Sequence, residues 1–79
     1  MARRRRDSDR AVERQRALGE RVRELRLAAG LSQEELGYRA NIHRAYVGTV
    51  ENGMYSVTLD TVYRIADALG VPVRDLFPD

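Results

Sequence analysis

From Leu18 onward the apolar residues fall into short runs with a helical period, punctuated by glycine. Leu18, Val22, Leu25 and Ala29 recur on one helical face. Gly30 stands where a left-handed stop belongs, and Leu31 is a core residue in the link that follows. Ser32-Gln33-Glu34-Glu35 has the Ser-x-x-Glu form of a capping box, which opens a second helix at Gln33 that ends near Ala40. Asn41 suits the positive φ of a tight turn, Ile42 points inward, and His43 caps a third helix over Arg44–Asn52 that Gly53 stops. Met54–Val57 reads as a loop. Thr58 caps a fourth helix carrying Leu59, Val62, Ile65, Ala66 and Leu69, and Gly70 stops it. Pro72 suits the first turn of a short fifth helix, whose Leu76 and Phe77 close the core or meet a second subunit, and Pro78 ends the ordered chain. No segment carries a strand signal, so the pattern predicts an all-α fold of five helices.

Before Leu18 the pattern is different. Residues 1–6 have no apolar periodicity and read as a disordered basic arm, with Ser8 or Asp9 as an N-cap where the first helix begins. The chain therefore divides into an Arg-rich N-terminal arm, residues 1–9, and one folded domain, residues 10–79. Charge sharpens this division. Residues 1–16 hold seven Arg against three acids, net +4, whereas residues 17–79 hold seven Arg against nine acids, net −2. The overall +2 thus belongs to the arm, and the folded part is not a basic surface. All fourteen cations are Arg. Arg suits bidentate contacts to bases and phosphates, and a GC-rich genome produces the same bias.

The segment Gln33–Asn52 has a more specific signature. Two helices that meet at a sharp angle need apolar side chains along their seam, and Leu36, Ala40, Ile42, Val47 and Val50 supply them. The point of closest approach needs a small residue, here Gly37, although glycine costs a helix roughly 1 kcal/mol relative to Ala. The turn needs positive φ, which Asn41 tolerates. All seven constraints are met, so residues 33–52 are expected to form a helix-turn-helix.

Residues 18–77, about three quarters of the chain, resemble the Xre/Cro-type helix-turn-helix family of phage repressors and restriction–modification controller proteins. The resemblance rests on four runs: Leu18-Gly19-Glu20-Arg21-Val22-Arg23-Glu24-Leu25-Arg26, Gly30-Leu31-Ser32-Gln33-Glu34-Glu35-Leu36, Val50-Glu51-Asn52-Gly53, and Ile65-Ala66-Asp67-Ala68-Leu69-Gly70-Val71. His43-Arg44-Ala45-Tyr46-Val47-Gly48 looks like the recognition helix of the controller type. The resemblance implies a compact five-helix, lambda-repressor-like domain that reads double-stranded DNA. An α-helix fits the major groove and presents its N-terminal side chains to base edges. Arg44 can donate bidentately to guanine, and Ala45 and Thr49 can meet a base edge or a thymine methyl. The resemblance places base readers at Arg44, Ala45 and Thr49. Tyr46 stands either at the groove wall or packed against the first helix. Gly48 departs from the family's usual larger or polar residue.

Phosphate contacts are expected from Gln33 at the amide end of the second helix, with His43, Asn52, Tyr55, Ser56 and Thr58 as further candidates. Many relatives carry Arg where Asn52 stands. Thr58 can be a plain N-cap as well. In relatives the pair matching Arg26 and Glu51 joins the first helix to the end of the recognition helix, so a structural ion pair is implied here. The arm either enters a neighbouring groove and tracks phosphates or serves as a solubilising tail.

These expectations converge on a transcriptional regulator acting as a homodimer on a pseudo-palindromic operator, a controller-type autoregulator first and an antitoxin-type autorepressor second. A protein-interaction adaptor built on the same fold is the reading from a different class. Val71, Val73, Leu76 and Phe77 are the candidate dimer surface. Absence of cysteine, a single histidine at a helix start, and absence of a glycine-rich phosphate loop give no catalytic residues, metal or cofactor, so neither an enzyme nor a small-molecule site is expected. With no apolar run of about 18 residues, no membrane span is expected and the cytoplasm is the expected location.

Overall fold

The computed structural model describes the backbone of residues 2–54 and 56–77, with side chains from Asp9 onward. Among these residues four α-helices follow one another: α1 (Ala2–Ala28), α2 (Gln33–Ala40), α3 (Arg44–Glu51) and α4 (Leu59–Leu69), then a 3₁₀ helix over Val73–Leu76. Among the described residues there is no strand. Each of the five elements contributes one of the largest fully buried side chains, Val22, Leu36, Val47, Ile65 and Leu76. The core is thus a single cluster that needs every element, including the C-terminal turn.

Local rules set the helix ends. Ser32 Oγ accepts from the Glu35 N–H at 3.0 Å while Glu35 Oε1 accepts from the Ser32 N–H at 2.9 Å, a complete capping box. The Ser32 backbone N–H, and after it the Ser32 hydroxyl, hold the Glu35 carboxyl below its ordinary value of 4.5. His43 Nδ1 caps α3 by accepting from the Ala45 N–H at 3.0 Å, and Thr58 Oγ1 caps α4 by accepting from the Thr61 N–H at 3.1 Å. Asn41 has φ 58°, the one non-glycine residue in the left-handed region among the described residues, and it turns the chain between α2 and α3.

Two expectations about element number change. The segment expected to be a disordered arm is the first part of α1, which begins at Ala2. Apolar periodicity reports burial rather than helicity. Arg and Ala favour the helix, and no Pro or Gly interrupts the chain before Gly19, so a helix docked at Leu18 and Val22 extends backward residue by residue at little cost. The fifth helix is a 3₁₀ turn, opened by Pro72 as its N-cap, with Asp75 N–H bonded to Pro72 O at 2.9 Å. Arg21 Nε fixes this turn to α1 by donating to Asp75 O at 2.8 Å. Two side chains of the apolar stripes also lie outside the core: Ala29 is exposed just beyond the end of α1, and Leu59 is exposed at the first position of α4. Pro78 lies outside the described residues.

Glycines mark close backbone approaches between elements, Gly37 and Gly19 among them. A Cβ on Gly37 would stand 2.7 Å from Ile42 O and 3.2 Å from Arg44 N, so α2 can lie against the turn only without a side chain there. Gly19, which the pattern did not single out, is tighter. Its Cβ would overlap Val50 O and stand 2.7 Å from Glu51 O, at the C-terminal end of α3. Gly19→Ala should therefore destabilise the domain by ~1–3 kcal/mol through overpacking, more than Gly37→Ala does, despite the gain in helix propensity. Thermal melts check this, and a higher melting temperature for Gly19→Ala would contradict it. The capping box gives a pH signature as well. A carboxyl lowered in the folded state contributes stability that is present above its unfolded value and lost as pH falls through the folded one. The stability difference between the parent chain and Glu35→Gln should therefore shrink as pH is lowered below about 4, read from urea midpoints against pH.

Candidate nucleic-acid interface

The apolar seam fixes which face of α3 is turned inward. Val47 and Val50 are buried at 0% and 2% exposure, so Arg44, Ala45 and Asn52 stand exposed on the opposite side, with Gly48 and Thr49 half-buried between them. Tyr46 is half-buried and packs against the core cluster. The Thr49 hydroxyl donates to Ala45 O at 3.0 Å, which spends its proton within the helix and leaves its lone pairs and methyl to whatever approaches. Arg44 Nη1 meets Glu34 Oε2 at 2.8 Å, a contact between the first turns of α3 and α2.

The end of α3 is tied down by charge. Arg26 Nε and Nη2 donate to the two carboxylate oxygens of Glu51 at 2.6 and 3.0 Å, and both residues are only 8% exposed. The third guanidinium nitrogen, Nη1, donates to Leu31 O at 2.8 Å, and Gln33 Nε2 donates to Glu51 Oε1 at 3.2 Å. Among the described residues no buried side-chain nitrogen or oxygen lacks a partner. Hydrogen bonding to the Glu51 carboxylate holds the Arg26 guanidinium above its ordinary value against burial, which pushes it down, and Coulomb attraction to Glu51 adds to the rise.

Gln33 leans across the groove between α2 and α3, its amide atoms 3.6–3.9 Å from where a side chain at Gly48 would begin. A larger residue at position 48 would meet it. The capping box uses the Ser32 and Glu35 amides, so the Gln33 and Glu34 amides are the remaining open donors of the first turn of α2. His43 accepts at Nδ1 and is exposed, which fits the tautomer carrying its proton on Nε2. Ser56 Oγ accepts from Gln15 Nε2 at 2.8 Å, pinning the loop after α3 to α1. Thr58 Oγ1 accepts from an amide and also donates to Thr61 Oγ1 at 3.0 Å, so its hydroxyl is engaged as a cap. Tyr55 lies outside the described residues.

The C-terminal candidates separate. Leu76 is fully buried in the domain's own core and has no surface to offer a partner. Val71 and Val73 are half-buried against that core. Phe77 is 49% exposed and lines a cleft with Ala11, Ala17, Leu18 and Val57. Sequence reasoning did not find the partners of Gln33, Arg44 and Ser56, because each lies on another element and no local spacing signals it. Among the described residues no three potential metal ligands cluster, and no helix is long and apolar enough to cross a membrane.

Residues 17–77 match the model of a helix-turn-helix domain family. The chain belongs to that helix-turn-helix family. Within it, the chain is similar to the control protein C.BamHI of Bacillus amyloliquefaciens, 41% identical over 59 residues that make up 73% of each chain. It is also similar to the control protein C.SmaI of Serratia marcescens, 42% identical over 59 residues, 75% of this chain and 70% of that one. Among solved structures, the restriction-modification controller protein C.AhdI from Aeromonas hydrophila superposes with a TM-score of 0.77 at 45% identity, over 78% of this chain and 94% of that one. The Xre/Cro-type resemblance, to controllers and to a phage repressor, holds: an immunity repressor of Bacillus phage phi105 is 34% identical over 56 residues, 71% of this chain and 39% of that one.

In this helix-turn-helix domain the Arg26–Glu51 pair predicts its own test. Glu51→Ala strands a buried guanidinium and should cost ~3–5 kcal/mol, whereas replacing both partners together, Arg26→Met with Glu51→Leu, should recover most of that loss. Urea denaturation of the two variants measures this, and an unchanged midpoint for Glu51→Ala would remove the pair from the structural account.

Proposed function

We propose that this chain is a sequence-specific DNA-binding transcriptional regulator that acts as a homodimer on a pseudo-palindromic operator, in the manner of a controller-type autoregulator. The observation that carries this is the exposed face of α3, with Arg44, Ala45 and Thr49 turned outward while Glu51 is clamped from behind. A recognition surface needs side chains whose supporting helix does not move, and this one is held on two sides.

In the proposed complex α3 lies in the major groove. Arg44 donates to guanine O6 and N7, Ala45 offers its methyl to a thymine methyl, and Thr49 accepts from an exocyclic amine through its free lone pairs. Tyr46 supports the groove wall from its half-buried position. The backbone is gripped by the open amides of Gln33 and Glu34, by His43 Nε2–H, and by Asn52, with Ser56 and Thr58 flanking the next phosphate. The second half-site follows about 34–36 Å along the duplex, one helical turn away. Phe77, with Val71 and Val73 beside it, supplies the apolar contact between subunits. The names of similar proteins, controllers and an immunity repressor, support a regulator rather than an adaptor.

Selection of bound sequences from a random duplex pool should return a two-fold symmetric consensus with a guanine in each half-site. Arg44→Ala should then weaken binding to that consensus by roughly 5- to 150-fold, about 1–3 kcal/mol, and relax the preference at that guanine. No enrichment from the pool at low salt would overturn the proposal in favour of an adaptor.

A further inference from the structure

The arginine proposed to read a base is already holding a carboxylate. Arg44 Nη1 and Glu34 Oε2 are 2.8 Å apart, and the two side chains are 65% and 72% exposed. Among the described residues the other ion pairs are of different kinds. Arg21–Glu24 and Arg64–Asp60 lie within single helices, and Arg26–Glu51 is buried. Arg44–Glu34 is the exposed pair that joins two helices, and the helices it joins are the two of the helix-turn-helix.

We infer that Glu34 is a positioning and specificity-determining residue. It holds the Arg44 guanidinium at the mouth of the groove for a base and restrains it from the phosphate backbone. This inference rests on the reading above, in which α3 enters the major groove.

Three features support it. The contact uses Nη1 alone, so the Nε and Nη2 edge of the guanidinium stays open for a two-acceptor partner such as guanine. A base can therefore be read with the pair intact. A phosphate that takes the same open edge brings its negative charge close to the Glu34 carboxylate, a repulsion that an uncharged base edge does not meet. Second, Glu34 is itself anchored, because it sits in the first turn of α2, where the helix dipole favours an anion. Third, residues 17–79 carry a net charge of −2, so a loosely held Arg44 would be a large share of the sequence-independent attraction available to this face.

The strength of the pair sets the size of the effect. An exposed ion pair is worth a factor of about two to five in an equilibrium. Glu34→Gln keeps the size and helix position and removes the charge. In this variant, affinity for random duplex should rise, with a salt slope steeper by about one phosphate contact. The ratio of operator to random affinity should fall about two- to fivefold, with the loss concentrated at the guanine opposite Arg44. The melting temperature should fall by no more than a few degrees, since only an exposed pair and the interaction of Glu34 with the α2 dipole are lost. In an Arg44→Ala background the same substitution should leave discrimination at that guanine unchanged. A ratio that stays constant or rises in Glu34→Gln overturns the inference, as does an equal loss in the Arg44→Ala background. If the parent chain itself selects no operator, the reading of α3 as a base reader fails first, and that outcome is visible before any Glu34 variant is made.

Discussion

The orientation of α3 depends on one interaction, the buried bidentate pair between Arg26 and Glu51. Removing two charges from water costs several kcal/mol each, and only good geometry with every remaining donor satisfied offsets it. Here Leu31 O takes the third guanidinium nitrogen and Gln33 supplies a further donor to the carboxylate. A pair so arranged contributes little net stability over an apolar substitute, but its hydrogen bonds tie together α1, the α1–α2 link, the start of α2 and the end of α3. Gly19 makes that arrangement reachable. It lies seven residues before Arg26, on the same face of α1, and its missing side chain is the space where the backbone of Val50 and Glu51 rests. One face of α1 thus presents first a gap for the end of α3 and then, about 10 Å further along, a cation for its last side chain.

This clamp has a counterpart at the other end of α3. Arg44–Glu34 has the same chemistry as Arg26–Glu51 but opposite surroundings, with side chains two-thirds exposed against side chains at 10% and 3%. Burial makes the second pair expensive to break and therefore suited to fixing a helix. Exposure makes the first worth a kcal/mol or less, a strength at which it can orient a side chain and still exchange partners. The helix is rigid where it is gripped and adjustable where it would read.

Much of this was legible in the sequence, for local reasons. A capping box, an Asn in a tight turn and an apolar seam at fixed offsets are determined by residues within a few positions of one another, and Ser32, Asn41, Leu36 and Val47 all behave as their spacing demands. The Arg26–Glu51 pair spans 25 residues and came only through resemblance to a family. The link from Glu34 to Arg44 spans ten and has no periodic signature, since it exists only once two helices are set at an angle. Leu76 and Phe77 are adjacent apolar residues at the end of the chain, and only the packed core tells which is the interior one. The start of α1 failed differently. Periodicity detects a face that is buried, and a run of arginines has none, so a helix that continues past its docked part looks like an arm.

The charge distribution then constrains how such a domain can select a sequence. A basic body binds any duplex by releasing counterions and must find specificity on top of a strong background. Residues 17–79 are net acidic, and the first turn of α2, where a phosphate would be gripped, carries Glu34 and Glu35. Glu35 is committed to the cap and Glu34 to Arg44, so neither carboxylate is idle, but neither helps hold an anion. On the proposed reading, the background affinity of this face is low by construction. Most of the binding free energy must then come from contacts that exist only when base edges match Arg44, Ala45 and Thr49. A weak background also raises the value of a second half-site, because two modest, selective contacts on one duplex multiply.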